Sequence, residues 1–376
     1  MIIGVPREIH RHEHRVGLTP LAVARLIQQS QSVLVEKEAG STAHFSDREY
    51  QKAGAQIVYD TEEVYRRADI VCRVSVLSPE ELDLLKPGAI VCGFLHLAVA
   101  TREMAAQLMD LEATLIGYEI IRDAGGDLPV LVPFSEMAGQ LAVHIASHYL
   151  QNEVGGRGVL IGNVTGVPPA TVLVLGAGTV GSTAARMALA CGAHVIILDA
   201  DLAKLRALNR DLGGQVVTVM GGLDHLEKYT AIADVVIGAV LIPGARAPFV
   251  VTEEMVKAMK PGSVIIDASI DQGGCVETSR PTTLDRPTFV THNVVHYCVP
   301  NMTANIARTA SRALANAALP YITALSSRGL EEVLREDPGL ASGVYMYRGK
   351  MVNEGAGSTL GIRTTPLCQL LGSHER

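Results

Sequence analysis

Arg15, His96 and the two acids of VIIDASIDQGG are the side chains of this sequence placed to act on a small polar substrate. Arg15 lies on a loop after the first apolar run and just before a helix start at Thr19-Pro20, where active-site loops of open sheets gather. A guanidinium there can clamp a carboxylate through two parallel hydrogen bonds; a surface ion pair is the plainer use of an arginine. His96 follows the run Ile90 to Phe94 in GFLHLA, among apolar neighbours. Its free pKa near neutrality suits general acid–base work, although a core histidine bonded to backbone would fit the same pattern. Asp267 and Asp271 lie at or just past another strand end. A carboxylate there can orient a histidine, bond a sugar hydroxyl or simply be solvated, and Gly273-Gly274 beside them argues for close backbone approach to something.

These groups need an element that brings a reaction partner to them, and residues Thr171 to Asp199 supply one. The run Val172 to Leu175 feeds into Gly176-Ala177-Gly178-Thr179-Val180-Gly181, a helical pattern follows, and a second apolar run, Val195 to Leu198, closes on Asp199. Gly176 makes the tight turn, Gly178 lets a pyrophosphate touch the backbone, and Gly181 lets helix and strand pack closely. The helix starting near Thr179 offers unpaired N–H groups, including those of Thr179 and Val180, and a positive dipole end to phosphate. Asp199, about 20 residues on, can accept both hydroxyls of an adenosine ribose. Its charge favours NAD over NADP, because a 2′-phosphate would meet it in a poorly screened site. Lys204 and Arg206 read as the solvated face of the next helix. With a nicotinamide dinucleotide bound, Asp271 is a candidate for the nicotinamide ribose.

Composition narrows the alternatives. A chain of 376 residues accommodates two domains, and 48% hydrophobic against 19% charged residues is a globular balance. Trp is absent and aromatics are 4%, so the cores must be aliphatic. A net charge of -7 and no local Lys/Arg cluster argue against nucleic acid. MIIGVPRE is not a signal peptide, and no apolar stretch approaches the roughly 18 residues of a membrane span. A cytoplasmic enzyme is expected. The six cysteines form no C-x-x-C pair and read as buried thiols, with neither disulfides nor a metal site expected. His10, His12 and His14 alternate, which suits a solvated loop better than a helical metal site.

Along the chain, Ile2 to Val5, Val33 to Val35, Asp69 to Val74, Ala89 to Gly93 and Ala113 to Ile116 read as strands separated by helical patterns, a parallel sheet covered on both faces. From Ser135-Glu136 a helix runs to about Asn152 as a connector, after Pro133 and before the break at Gly155-Gly156. Gln215 to Val219, Val235 to Ile237, Val264 to Asp267 and Phe289 to Thr291 give further strands. An alanine-rich helix from Met302 to about Ser327 is expected to bend or break at Pro320 and to carry the chain back to the first domain. The expected fold is α/β, with two Rossmann-like domains on parallel sheets and a cleft between them. Residues 131–303 form the NAD-binding domain, and 1–130 with 304–376 form a discontinuous substrate domain.

Taken together, VPREIHRHEHRVGLTP, FLHLA, the YEII stretch at 118, SEMAGQLA, GGRGVL, VLGAGTVG, IGAVLIPGARAP, PGSVIIDASIDQGGC, SRPTT and YCVPNM resemble, in order, the alanine dehydrogenase family, which shares its fold with nicotinamide nucleotide transhydrogenase α-subunits. The lack of membrane spans favours the dehydrogenases. The resemblance implies NAD-dependent oxidative deamination of L-alanine to pyruvate and ammonium, and the reverse amination, by a homohexamer. Arg15 would hold the substrate carboxylate. His96 would serve as acid and base, and Asp271 would assist the water and amine steps. Gly176, Gly178, Thr179, Val180, Gly181 and Asp199, with Ser135, would bind the dinucleotide, while Val240, Leu241 and Asn301 border the nicotinamide and substrate.

Two departures stand out. Where the family carries a substrate-binding lysine this chain has Ser75, followed by Val76-Leu77 in place of an acidic-proline pair. Thr303-Ala304-Asn305 replaces the usual proline after Asn301-Met302. A lost donor to the developing negative charge costs about 3 kcal/mol of transition-state stabilisation. Either Arg73, on the same strand face about 6.6 Å away, reaches back to replace it, or the neutral serine admits a larger or differently charged amino or imino acid. Guanidinium and ammonium are poor substitutes for one another, which favours the second. The alternatives are thus a related NAD(P)-dependent dehydrogenase or imine reductase on another substrate, or a non-catalytic NAD-binding regulator.

Overall fold

The computed structural model describes residues 1–97, 100–240 and 247–372. Its strands are β1 (Ile2–Val5), β2 (Ser32–Glu36), β3 (Gln56–Val58), β4 (Ile70–Cys72), β5 (Ile90–Gly93), β6 (Thr114–Gly117), β7 (Thr171–Leu175), β8 (His194–Asp199), β9 (Val217–Met220), β10 (Val235–Gly238), β11 (Val264–Asp267), β12 (Thr288–Thr291), β13 (Val294–Tyr297), β14 (Val344–Tyr347) and β15 (Lys350–Met351). The chain forms two compact units, Met1–Phe134 with Ala304–Arg376, and Ser135–Thr303.

Each unit is built on one sheet. In the first the order is β15-β14-β6-β5-β4-β1-β2-β3, and in the second β12-β13-β11-β10-β7-β8-β9. The six parallel strands of each therefore follow the doubly wound 3-2-1-4-5-6 order, with the strand order reversing between β1 and β4 and between β7 and β10. Ligands of such sheets bind outside the carboxyl ends at that reversal. The runs are β-branched and aliphatic because both faces are covered: Val172, Leu173 and Val174 are wholly buried, as are Val235, Val236 and Ile237.

The sheets are mixed rather than purely parallel. β12 pairs antiparallel with β13, and β14 and β15 add an antiparallel edge beside β6. β3, β13, β14 and β15 are the strands that the hydrophobic pattern did not single out, being short or interrupted by polar residues. β9 begins at Val217, not Gln215.

Helix starts are written locally. Thr19 accepts from Ala22 N with Pro20 at the first helical position. Ser46 with Glu49, and Ser78 with Glu81, close capping boxes. The helix Val132–Tyr149 starts three residues before Ser135 and takes Pro133 into its first turn, where no backbone donor is lost. Of the bend or break expected at Pro320, the break does not occur: the helix Ala307–Arg328 runs through it. Burial of Leu314, Ala318, Ile322 and Leu325 along it offsets the one backbone bond that proline removes. Among the described residues no helix is long and apolar enough to cross a membrane.

Candidate active site

In the unit Ser135–Thr303 the glycine turn is shaped as its spacing requires. Gly176 has φ +100, and a Cβ there would lie 2.5 Å from the Ala239 carbonyl oxygen. At Gly181 a Cβ would collide with the Gly176 carbonyl oxygen, so the helix Thr179–Ala190 packs tightly on its strand. A Cβ on Gly178 would meet nothing within 4 Å, which leaves open space in front of a helix whose N-cap supplies no side-chain oxygen. The cradle fits a pyrophosphate. Thr179 and Val180 open that helix. Asp199 Oδ2 accepts from Ala177 N at 2.6 Å and Oδ1 from Asp201 N at 2.7 Å, which sets the carboxylate beside the turn. Ser135 stands one turn before Gly139, whose missing side chain lets the helix Val132–Tyr149 lie against Val180 O and Thr183.

The residues expected to border a nicotinamide lie past β10, β11 and β13. Val240 N donates to Ser269 Oγ at 2.9 Å; Leu241 lies outside the described residues. Asp271 is exposed on the short turn Ile270–Gln272, and its Oδ1 accepts from Asn301 N at 3.0 Å, Asn301 having φ +51. The other acid has a different job. Asp267 is wholly buried and accepts from the backbone N–H groups of Ser269, Cys275 and Val276 at 3.1, 3.0 and 3.2 Å, pinning the loop that presents Asp271. Burial raises its pKa, against the donors that favour the charged form.

In the other unit the remaining residues gather at the carboxyl ends of β1, β4, β5 and β6. Along HEHR the backbone alternates, so that Glu13 and Arg15 are buried while His12 and His14 are partly exposed. Arg15 Nε lies 2.6 Å from Glu13 Oε1 and Nη2 lies 2.5 Å from Oε2, a bidentate pair. The loop is locked: Val16 N donates to Ser311 Oγ at 3.0 Å, and a Cβ on Gly17 would clash with the Cys72 backbone. Ser75 Oγ donates to Glu8 Oε2 at 2.8 Å and lies 3.5 Å from Glu13 Oε2.

Arg73 does not reach back over Ser75, and that expectation is corrected. Its side chain is 0% exposed, with Nε donating to the Ser75 carbonyl at 2.6 Å, Nη1 to Tyr65 Oη at 2.9 Å and Glu81 Oε2 at 2.8 Å, and Nη2 to Glu8 Oε2 at 3.1 Å. Burial opposes the Arg73 charge, but Glu8, Tyr65 and Glu81 outweigh it and hold the pKa above the ordinary value. Arg73 is a structural cation inside the unit.

His96 is not a core histidine. It has φ +42, and its ring is about half exposed (49%) and stacks on Phe94. Its backbone N–H donates to Glu119 Oε1 at 2.6 Å, and Nδ1 lies 3.8 Å from that oxygen. Glu119 is buried and also accepts from Leu95 N at 3.3 Å and from Tyr345 Oη at 2.9 Å. Phe94 packs on Phe134 with ring centroids 4.9 Å apart, and the Arg15 guanidinium lies 5.4 Å from the Phe134 ring centre. A continuous path of contacts thus joins Arg15 to His96 through two aromatic rings.

Sequence reasoning missed the carboxylates behind these groups: Glu8, Glu13 and Glu119. A signal existed, since Glu119 interrupts the apolar run at 118 and an acid inside such a run must find partners. Tyr345, in the tail, gave none.

Residues 4–138 match the family described as alanine dehydrogenase/PNT, N-terminal domain, and residues 142–354 match its C-terminal domain. The chain is 42% identical over 372 residues to alanine dehydrogenase of Halomonas elongata, covering 99% of this chain and 100% of that one. It is 42% identical over 371 residues to alanine dehydrogenase of Mycobacterium tuberculosis, with the same coverage of 99% and 100%. A solved L-alanine dehydrogenase superposes with a TM-score of 0.92 at 41% identity, over 96% of this chain and 99% of that one. The transhydrogenase of Sinorhizobium meliloti superposes at 0.80 with 25% identity, over 94% and 99% of the two chains. On these grounds the chain belongs to the alanine dehydrogenase/PNT family.

Proposed function

We propose that this chain catalyses the NAD-dependent oxidative deamination of L-alanine to pyruvate and ammonium, and the reverse amination. The observation that carries the reading is the path from the buried Arg15–Glu13 pair through Phe134 and Phe94 to the exposed, carboxylate-tethered His96. Residues 135–303 bind the dinucleotide and residues 1–134 with 304–376 bind the amino acid. The enzyme works in the cytoplasm as a homohexamer.

When bound, NAD accepts the hydride from the substrate α-carbon. The protein supplies everything else. Glu13 takes the Nε–Nη2 edge of Arg15, so the guanidinium is held in one orientation, and a substrate carboxylate binds it by exchanging with Glu13. Ser75 contributes a hydroxyl beside that carboxylate. His96, with Glu119 fixing its backbone, takes the proton from the water that adds to the imine carbon and returns it to the departing amine. Asp271 and Asn301, hydrogen-bonded to each other, stand at the nicotinamide end and assist that step. Asp199 selects NAD at the adenosine end.

A second reading concerns the substrate. Ser75 offers a neutral hydroxyl, donating to Glu8, where the resemblance leads one to expect a lysine, and the buried Arg73 does not replace that cation, which favours an amino or imino acid other than alanine. NADH formation at 340 nm across a panel of amino acids at alkaline pH decides between them. Alanine should lead the panel; turnover of another amino acid with alanine inert would move the reaction to that substrate, and NADH binding without turnover of any would leave a regulator.

A further inference from the structure

Tyr345 reaches the acid–base site from the far end of the chain. On β14, Val344 lies opposite Ile116 of β6 and Met346 lies opposite Leu115, so two steps on one strand match one on the other and Tyr345 is the extra residue of a bulge. Bulges re-aim a side chain. The bulge is held by Val352 N and Asn353 N, both donating to the Tyr345 carbonyl at 2.9 and 3.1 Å. Gly117 leaves room for the ring, since a Cβ there would collide with it. The hydroxyl then donates to Glu119 Oε1 at 2.9 Å. Burial, and then Glu119, push the phenol pKa up, so it remains a donor.

One carboxylate oxygen therefore accepts two hydrogen bonds and faces a ring nitrogen beyond them. Glu119 Oε1 accepts from His96 N at 2.6 Å and from Tyr345 Oη at 2.9 Å, and lies 3.8 Å from His96 Nδ1, whereas Oε2 has Leu95 N at 3.3 Å. Among the described residues, the titratable groups on this carboxylate are the His96 ring and the Tyr345 hydroxyl. An unshielded carboxylate beside an imidazole favours the protonated ring, and a ring that must accept a proton near neutrality is hindered by too strong a pull.

We propose that Tyr345 is a positioning residue for proton transfer: its hydroxyl holds Glu119 and occupies Oε1, limiting how strongly that carboxylate draws the His96 ring. It acts through Glu119, not on substrate, and the inference rests on the reading of His96 as acid and base.

Tyr345→Phe keeps the ring over Gly117 and removes only the hydroxyl. The acid limb of kcat should move up by about 0.5–1 pH unit, so that well below the midpoint the rate falls about three- to tenfold. KM for the amino acid and Kd for NADH should stay put. Glu119→Gln, which removes the charge and keeps an acceptor, should move the limb the opposite way. Tyr347→Phe, on the same strand with its hydroxyl toward Glu331, should leave the profile unchanged. The His96 ring is also followed directly by NMR titration of ¹³C-histidine-labelled protein, its signal assigned by its loss in His96→Asn. A shift of that titration in Tyr345→Phe supports the proposal even if no amino acid is turned over, an outcome that would remove the functional reading alone. An unmoved titration and an unmoved acid limb overturn the proposal, even with full alanine activity.

Discussion

At the scale of single residues, the unit that carries Arg15 and His96 sets a carboxylate with a buried side chain behind Arg15, Ser75, Arg73 and His96. Glu13 holds Arg15, Glu8 holds Ser75 and Arg73, and Glu119 holds the backbone of His96 with its ring 3.8 Å away. The pairings differ in purpose. Removing Glu8 would take from a guanidinium that is 0% exposed one of its two carboxylates, Glu81 remaining, a loss of about 1–3 kcal/mol that falls on stability. The His96 ring is half exposed and supports no packing comparable to that, so replacing it should cost turnover and not the fold. His96→Asn is expected to lower kcat by about 10²- to 10⁴-fold with the NADH dissociation constant within about twofold of the parent. Stopped-flow turnover and fluorescence titration of NADH check both halves; a mutant that turns over at the parental rate would remove His96 from proton transfer.

At the scale of elements, the glycine turn separates what the fold needs from what the ligand needs. Gly176 and Gly181 are glycines for the protein's sake, because a side chain at either would strike backbone. Gly178 is different: it has no unusual φ and nothing within 4 Å of a Cβ. Gly178→Ala should therefore melt within about 2 °C of the parent, yet raise the NADH dissociation constant about tenfold or more by filling the space in front of the helix N-terminus. Calorimetry and an NADH titration measure the two effects, and unchanged NADH affinity would mean that no phosphate approaches this backbone. The helix Ala307–Arg328 teaches the complementary lesson. Proline within a helical pattern suggests a break, but a helix packed along one face tolerates a single missing backbone bond.

At the scale of the molecule, a pH dependence of stability belongs to β13, inside the second sheet, and not to the site. His296 on β13 is 0% exposed, between Thr278 Oγ1 at 2.8 Å from Nε2 and the Val294 carbonyl at 3.0 Å from Nδ1, and burial, with His292 adding to it and Val294 opposing, lowers its pKa to about 4. Its folded value lies below its unfolded one, so the unfolded chain binds the extra proton. The stability it confers is complete above about pH 6.5 and is lost as pH falls toward 4, a change on the order of 3 kcal/mol. Urea titrations at pH 7 and pH 5 should show a larger drop for the parent than for His296→Gln, and equal drops would refute the linkage. The sequence alone determined two doubly wound units, the dinucleotide turn and its choice of NAD, and the strand-end positions of Arg15, His96 and Asp271, because strand periodicity, glycine spacing and capping are local properties of a chain. The carboxylates that hold Arg15 and His96, the burial of Arg73, the division of labour between Asp267 and Asp271, and the bulge that aims Tyr345 were decided only by tertiary structure. They depend on which strands lie side by side, and pairings such as β6 with β14 join residues more than two hundred positions apart, where no local pattern reaches.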